Sequence, residues 1–232
     1  ASYLFGSPDR MIRLDMSEYS HADAYARLVG EGREDGDLTG PVRRQPFCVV
    51  LLDELEKAHQ NVFDLLLQVL GEARLTDVNG KTTRVQNTII VMTSNLGVDT
   101  LRPAIGFEQA DAETSYASHF RKEAERFFRP EFLARIDQFI PFRPLRANTV
   151  ALIAARELKA VAQRDGIRAQ DVDLEFDDRV VDWVASRGIS EKYGARPLKR
   201  VLDQQLVWPL AQILSDNRPG ANESRLVRVS VN

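Results

Sequence analysis

The run Cys48-Val49-Val50-Leu51-Leu52-Asp53-Glu54 constrains the fold of this chain more than any other stretch. Its apolar part shows no alternation, which is the pattern of a strand buried on both faces of a parallel sheet. Two carboxylates stand where that strand ends. Ligands of open α/β sheets bind beyond the carboxyl ends of the strands. An acidic pair there suits Mg²⁺ and a water molecule, the requirements of nucleotide hydrolysis. It equally suits a plain strand end whose acids cap the next helix. An apolar run followed by acids is too loose a pattern to separate the two.

The 232 residues suffice for one large domain or two small ones, and 44% hydrophobic content supports a packed core. A net charge of -3 supplies no overall basic field, so nucleic acid is not an expected partner. No apolar run approaches the length of a membrane span, and Ala1-Ser2-Tyr3 does not open a basic-then-apolar leader. The single cysteine, Cys48, lies inside the apolar run and reads as packing. These features lead to the expectation of a cytoplasmic protein. His21, His59 and His119 lack ligand spacing and read as surface or capping residues.

Strands are expected at Met11 to Leu14, Phe47 to Leu52, Thr88 to Thr93 (buried like the second) and Asp137 to Phe142. Helices are expected at His21 to Val29, Leu38 to Arg44, from Asn61 onward, and at Ser115 to Phe128. Ala1 to Phe5 reads as a helix end. Asn79-Gly80 signals a hairpin. Past Phe142-Arg143-Pro144-Leu145 the pattern changes. Helices are expected at Asn148 to Asp165, Asp177 to Ser186 and Pro197 to Ser215, the last kinked at Pro209. Short strands are expected at Val172 to Phe176 and Ser224 to Val231. The fold class is therefore α/β: a parallel sheet sandwiched by helices over residues 1–142, then a mostly helical lid with a short sheet over 143–232.

Five segments then occur in order: Asp15-Met16-Ser17-Glu18-Tyr19, Val49 to His59, Met92 to Gly97, Arg129 to Asp137, and Tyr193 to Arg200. Together they closely resemble the second ATPase module of the Clp heat-shock ATPases, in the AAA+ superfamily with its P-loop-type sheet. The resemblance implies ATP and Mg²⁺ as cofactors. It makes Asp53 and Glu54 the Walker B pair, with Asp53 holding the metal and Glu54 acting as general base. Asn95 becomes sensor 1, its amide donating to the γ-phosphate and accepting from the attacking water. A plain turn or capping residue is the alternative there. Arg135 becomes the arginine finger that reaches an adjacent subunit of a six-membered ring, with an ion pair to Asp137 or Glu131 as the alternative. Arg196 becomes sensor 2 at the start of a lid helix, where loss of the γ-phosphate frees the lid to move. A capping or ion-pairing arginine is the alternative. Lys57 is assigned no role.

Two departures stand out. No Gly-x-x-x-x-Gly-Lys-Ser/Thr loop occurs. The resemblance places it just ahead of the helix ending near Phe5. ATPase activity is thus expected of a full-length protein, and weak ATP binding of a polypeptide that starts at Ala1. The segment Gly30 to Gly36 is also shorter than the substrate-gripping pore loop of Clp relatives and lacks its aromatic residue. Ile105-Gly106-Phe107 resembles the tripeptide that some Clp ATPases dock into the ClpP peptidase; packing onto its own domain is the alternative. The resulting expectation is a module that couples ATP hydrolysis to unfolding or disaggregation of proteins, or to their delivery to a peptidase. A hydrolysis-deficient scaffold and a DNA-associated AAA+ ATPase are the competing readings. Intact Glu54, Asn95, Arg135 and Arg196 weigh against the first, and net acidity against the second.

Overall fold

The apolar run is the middle strand of a parallel sheet. The computed structural model describes residues 1–31, 34–77, 79–100, 109–168, 172–190, 194–216 and 225–231. Two units are present, Ala1–Pro141 and Phe142–Asn232. The first runs α1 (Ser2–Phe5), β1 (Met11–Asp15), α2 (Ala24–Val29), α3 (Thr39–Arg44), β2 (Cys48–Asp53), α4 (Gln60–Glu72), β3 (Arg74–Thr76), β4 (Thr82–Arg84), β5 (Thr88–Met92), α5 (Gln109–Phe127) and α6 (Pro130–Leu133). Its sheet has the order β1-β2-β5, with both pairs parallel. The register sets Asp15 beside Asp53 and Leu52 beside Met92.

The central position of β2 explains its composition. Cys48, Val49, Val50 and Leu52 are all buried, and burial pushes the Cys48 thiol above its ordinary pKa. Helix α4 adds Val62, Leu65, Leu66 and Val69, which recur at helical spacing and face the core with Leu14, Leu28 and Phe132. His59 caps α4, its Nδ1 accepting the Asn61 N–H at 3.3 Å. In the β3–β4 hairpin, Asp77 accepts the N–H groups of Asn79 (3.0 Å) and Lys81 (2.9 Å). Arg43 ties this turn to the loop after α2, pairing with both Asp77 and Asp35. That loop closes tightly. A side chain at Gly36 would run into the backbone of Leu28 and Val29, so only glycine fits.

Three expectations need correction. Asp137 to Phe142 forms no strand. A strand must place its backbone N–H and C=O groups in a ladder. Among the described residues β5 is the last strand of the sheet, and this segment does not pair with it; Ile140 and Phe142 stand 68% and 85% exposed. Nor is β5 buried like β2. Its burial alternates, with Ile89 and Val91 exposed, because an edge strand has fewer neighbours to cover it. Helix α5 starts at Gln109 rather than Ser115, since the Ala- and acid-containing stretch ahead of Ser115 favours a helix start.

The second unit runs α7 (Ala147–Ala162), α8 (Asp165–Arg168), β6 (Val172–Phe176), α9 (Asp178–Gly188), α10 (Arg196–Leu202), α11 (Trp208–Asp216) and β7 (Arg225–Val229). β6 and β7 pair in parallel. Val150, Ala154, Leu158 and Val161 of α7 pack with Val180 and Val184 of α9 and with Leu198, Leu202 and Leu210. A π-helical turn, Asp203–Val207, joins α10 to α11. Pro209 lacks the N–H that would bond to Gln205, and the helix widens ahead of it. Among the described residues no helix is long and apolar enough to cross a membrane.

Candidate active site

The carboxyl ends of β2 and β5 gather one set of polar groups. Asp53 closes β2, and Thr93 follows β5 at the adjoining position. The Thr93 hydroxyl donates to Asp53 Oδ1 at 2.6 Å and accepts the Glu54 N–H at 3.1 Å. The Thr93 backbone carries the strand pairing further, its N–H bonding to Leu52 and its carbonyl accepting from Leu55. The other oxygen of Asp53, Oδ2, pairs with Arg13 at 2.5 Å. Asp15, the register partner of Asp53, turns instead to the Ser17 hydroxyl and N–H. Those bonds hold its carboxyl below the ordinary range.

Glu54 has left-handed backbone angles, φ 56° and ψ 51°. A residue with a Cβ adopts them at a cost of roughly 1–2 kcal/mol. Such conformations persist where surrounding contacts over-determine them, and they cluster at functional sites. The turn aims the Glu54 carboxylate at Lys57, with which it forms an ion pair, and this raises the Lys57 pKa. Glu56 reaches the other way, its Oε1 accepting the Asn95 N–H at 3.0 Å. The Asn95 side-chain amide is exposed and has no hydrogen-bond partner among the described residues. It caps nothing; Ser94 Oγ accepts the Leu96 N–H.

Asp53, Glu54 and Asn95 thus share the carboxyl ends of β2 and β5, whereas Arg135 engages α4. Arg135 follows α6 and donates to the Leu67 carbonyl on α4, paired with neither Asp137 nor Glu131. Its guanidinium lies across Gly71, where any side chain would collide with it. Leu67 is about 10 Å along α4 from its first residue. Arg196 begins α10 in the second unit, exposed and without an ion-pair partner among the described residues. Ile105, Gly106 and Phe107 lie outside the described residues.

Sequence reasoning missed Arg13, Glu56 and Thr93, and left Lys57 unassigned. The three-residue spacing of Glu54 and Lys57 was a usable signal. Thr93 carried none, because its role depends on strand register.

Residues 1–139 match the family described as AAA domain (Cdc48 subfamily), and residues 145–227 match the C-terminal, D2-small domain of ClpB protein. The chain belongs to the Clp family of AAA ATPases. Among its relatives is the Probable chaperone protein ClpB 1 of Chlorobaculum tepidum, 40% identical over 97% of this chain and 53% of the relative. The Chaperone protein ClpB of Vibrio cholerae is 43% identical over 91% of this chain and 25% of its own length. The chloroplastic Chaperone protein ClpC1 of Oryza sativa subsp. japonica is 40% identical over 99% of this chain and 26% of its own length. The chain therefore spans from about a quarter to about half of these Clp relatives.

Proposed function

We propose that the polypeptide carrying this chain is an ATP-driven protein remodeller, with its nucleotide bound beyond the carboxyl ends of β2 and β5. One observation carries the reading: the parallel pairing of β2 with β5 brings Asp53, Glu54 and Asn95 to the same end of the sheet, and the Asn95 side-chain amide has no hydrogen-bond partner among the described residues. The residues fit a Mg²⁺ that arrives with ATP. Mg²⁺ takes one or two carboxylates and fills its remaining positions with water and phosphate. Asp53 supplies such a carboxylate. Among the described residues no cluster of three or more His, Cys, Asp or Glu forms a protein-only cage. When bound, the ion neutralises charge on the phosphates.

The chain's own residues do the rest. Glu54 orients the attacking water and takes its proton, leaving its pairing with Lys57 as the water is engaged. The Asn95 side-chain amide donates an N–H to the γ-phosphate and accepts from that water through its oxygen. Arg135 exchanges the Leu67 carbonyl for the nucleotide of a neighbouring protomer in a hexamer. Arg196, heading α10 in the lid, senses the γ-phosphate and passes its loss to the lid. A cytoplasmic location fits the buried, unpaired Cys48. The substrates in this reading are unfolded or aggregated proteins, and docking to a ClpP-type peptidase is assigned to Ile105, Gly106 and Phe107.

The test is Glu54→Gln in the full-length protein. ATP binding is expected to persist while turnover falls about 10²–10⁴-fold, the usual worth of a positioned general base. Undiminished turnover would rule the assignment out.

A further inference from the structure

We propose that Thr93 is a positioning residue that sets the geometry of the Walker B acids, through one hydroxyl bonded at once to the Asp53 carboxylate and the Glu54 backbone. The inference rests on the ATPase reading above and names a residue that reading does not use. A hydroxyl has one O–H to donate and lone pairs to accept with. Thr93 employs both, donating to Asp53 Oδ1 at 2.6 Å and accepting from the Glu54 N–H at 3.1 Å. The two bonds do different things.

The bond to Glu54 explains a costly backbone. With φ at 56°, Glu54 sits where a side chain is disfavoured. Its N–H is received by the Thr93 hydroxyl. One residue further on, the Leu55 N–H bonds to the Thr93 carbonyl at 2.9 Å. The end of β5 therefore grips the turn after β2 at two successive N–H groups. This grip fixes the direction in which the Glu54 carboxylate leaves the sheet. A misplacement of a reacting group by about 1 Å costs on the order of 10²-fold in rate.

The bond to Asp53 orients the carboxylate assigned to the metal. Ligating carboxylates are themselves hydrogen-bonded, and loss of such an outer partner costs about 10–100-fold in metal affinity or activity. Thr93 on Oδ1 and Arg13 on Oδ2 together fix the rotation of the carboxylate plane, and only Thr93 also holds the Glu54 turn. Valine has nearly the shape of threonine and can make neither bond. Serine can make both.

The test compares Thr93→Val and Thr93→Ser in the full-length protein. In Thr93→Val, kcat for ATP is expected to fall on the order of 10²-fold with KM for ATP nearly unchanged. The Mg²⁺ concentration for half-maximal turnover is expected to rise about 10–100-fold. Exchange of the Glu54 amide, read by NMR without nucleotide or metal, is expected to accelerate at least about 10-fold, because its acceptor is gone. Thr93→Ser is expected to restore all three readouts. Unchanged Glu54 exchange in Thr93→Val would overturn the inference, and so would a serine variant as impaired as the valine one. If the unsubstituted protein binds ATP but does not turn it over, the ATPase reading falls instead. The exchange comparison then still decides whether Thr93 holds the turn.

Discussion

Phe132 is the side chain whose truncation most directly tests the packing around Arg135. It is 1% exposed and lies between two other rings. The Phe63 centroid is 5.7 Å away at 86°, and the Phe128 centroid 5.4 Å away at 36°. Burying a phenylalanine fully is worth about 1.5–3 kcal/mol, and each such ring contact adds about 0.5–1.5 kcal/mol. Phe132→Ala is therefore expected to cost about 3–5 kcal/mol, within the range for emptied aromatic sites. Phe132→Leu keeps most of the apolar area and loses the ring contacts, for about 1–2 kcal/mol. Phe127 provides the control. It touches the same cluster but is 47% exposed, so Phe127→Ala should cost only about 1 kcal/mol. Urea titration with amide exchange read on α4 and α6 would localise the effect to the first unit. A cost below about 1 kcal/mol for Phe132→Ala, or equal costs at positions 127 and 132, would refute the packing described here.

Two further outcomes follow from the backbone and from charge. Ala73 ends α4 in a left-handed conformation (φ 53°) that costs roughly 1–2 kcal/mol with a Cβ. Ala73→Gly removes that strain but loses part of a packed methyl and about 0.5–1 kcal/mol of chain entropy, for a net gain of up to about 1 kcal/mol. A urea midpoint shifted clearly downward would contradict it. Lys81 hydrogen bonds, helped by Arg43, hold the carboxyls of Asp35 and Asp77 below the ordinary range. Groups with depressed folded pKa stabilise above their unfolded value, about 3.9, and lose that contribution as pH falls through the folded values. Protection of hairpin amides, corrected for intrinsic exchange, should therefore drop below about pH 4. Protection unchanged down to about pH 2 would contradict it.

Local patterning by itself determined most of the elements. The unbroken apolar run at Cys48 to Leu52, the helical spacing of Val62, Leu66 and Val69, and Asn79-Gly80 each encode their structure within a few residues. It also marked Asp53 and Glu54, because acids at a strand end are readable one strand at a time, whereas Asn95 was marked only by the resemblance to the Clp ATPases. Tertiary structure alone decided what depends on neighbours. Asp137 to Phe142 has the composition of a strand but pairs with no strand among the described residues, and β5 is half-exposed where it closes the described sheet. Thr93 acquires its place only once β5 pairs with β2 in this register. Arg135 rests on α4 because Gly71 leaves room for a guanidinium there. Propensity and periodicity are properties of a segment, whereas hydrogen-bond partners and burial belong to pairs of segments brought together by the whole chain.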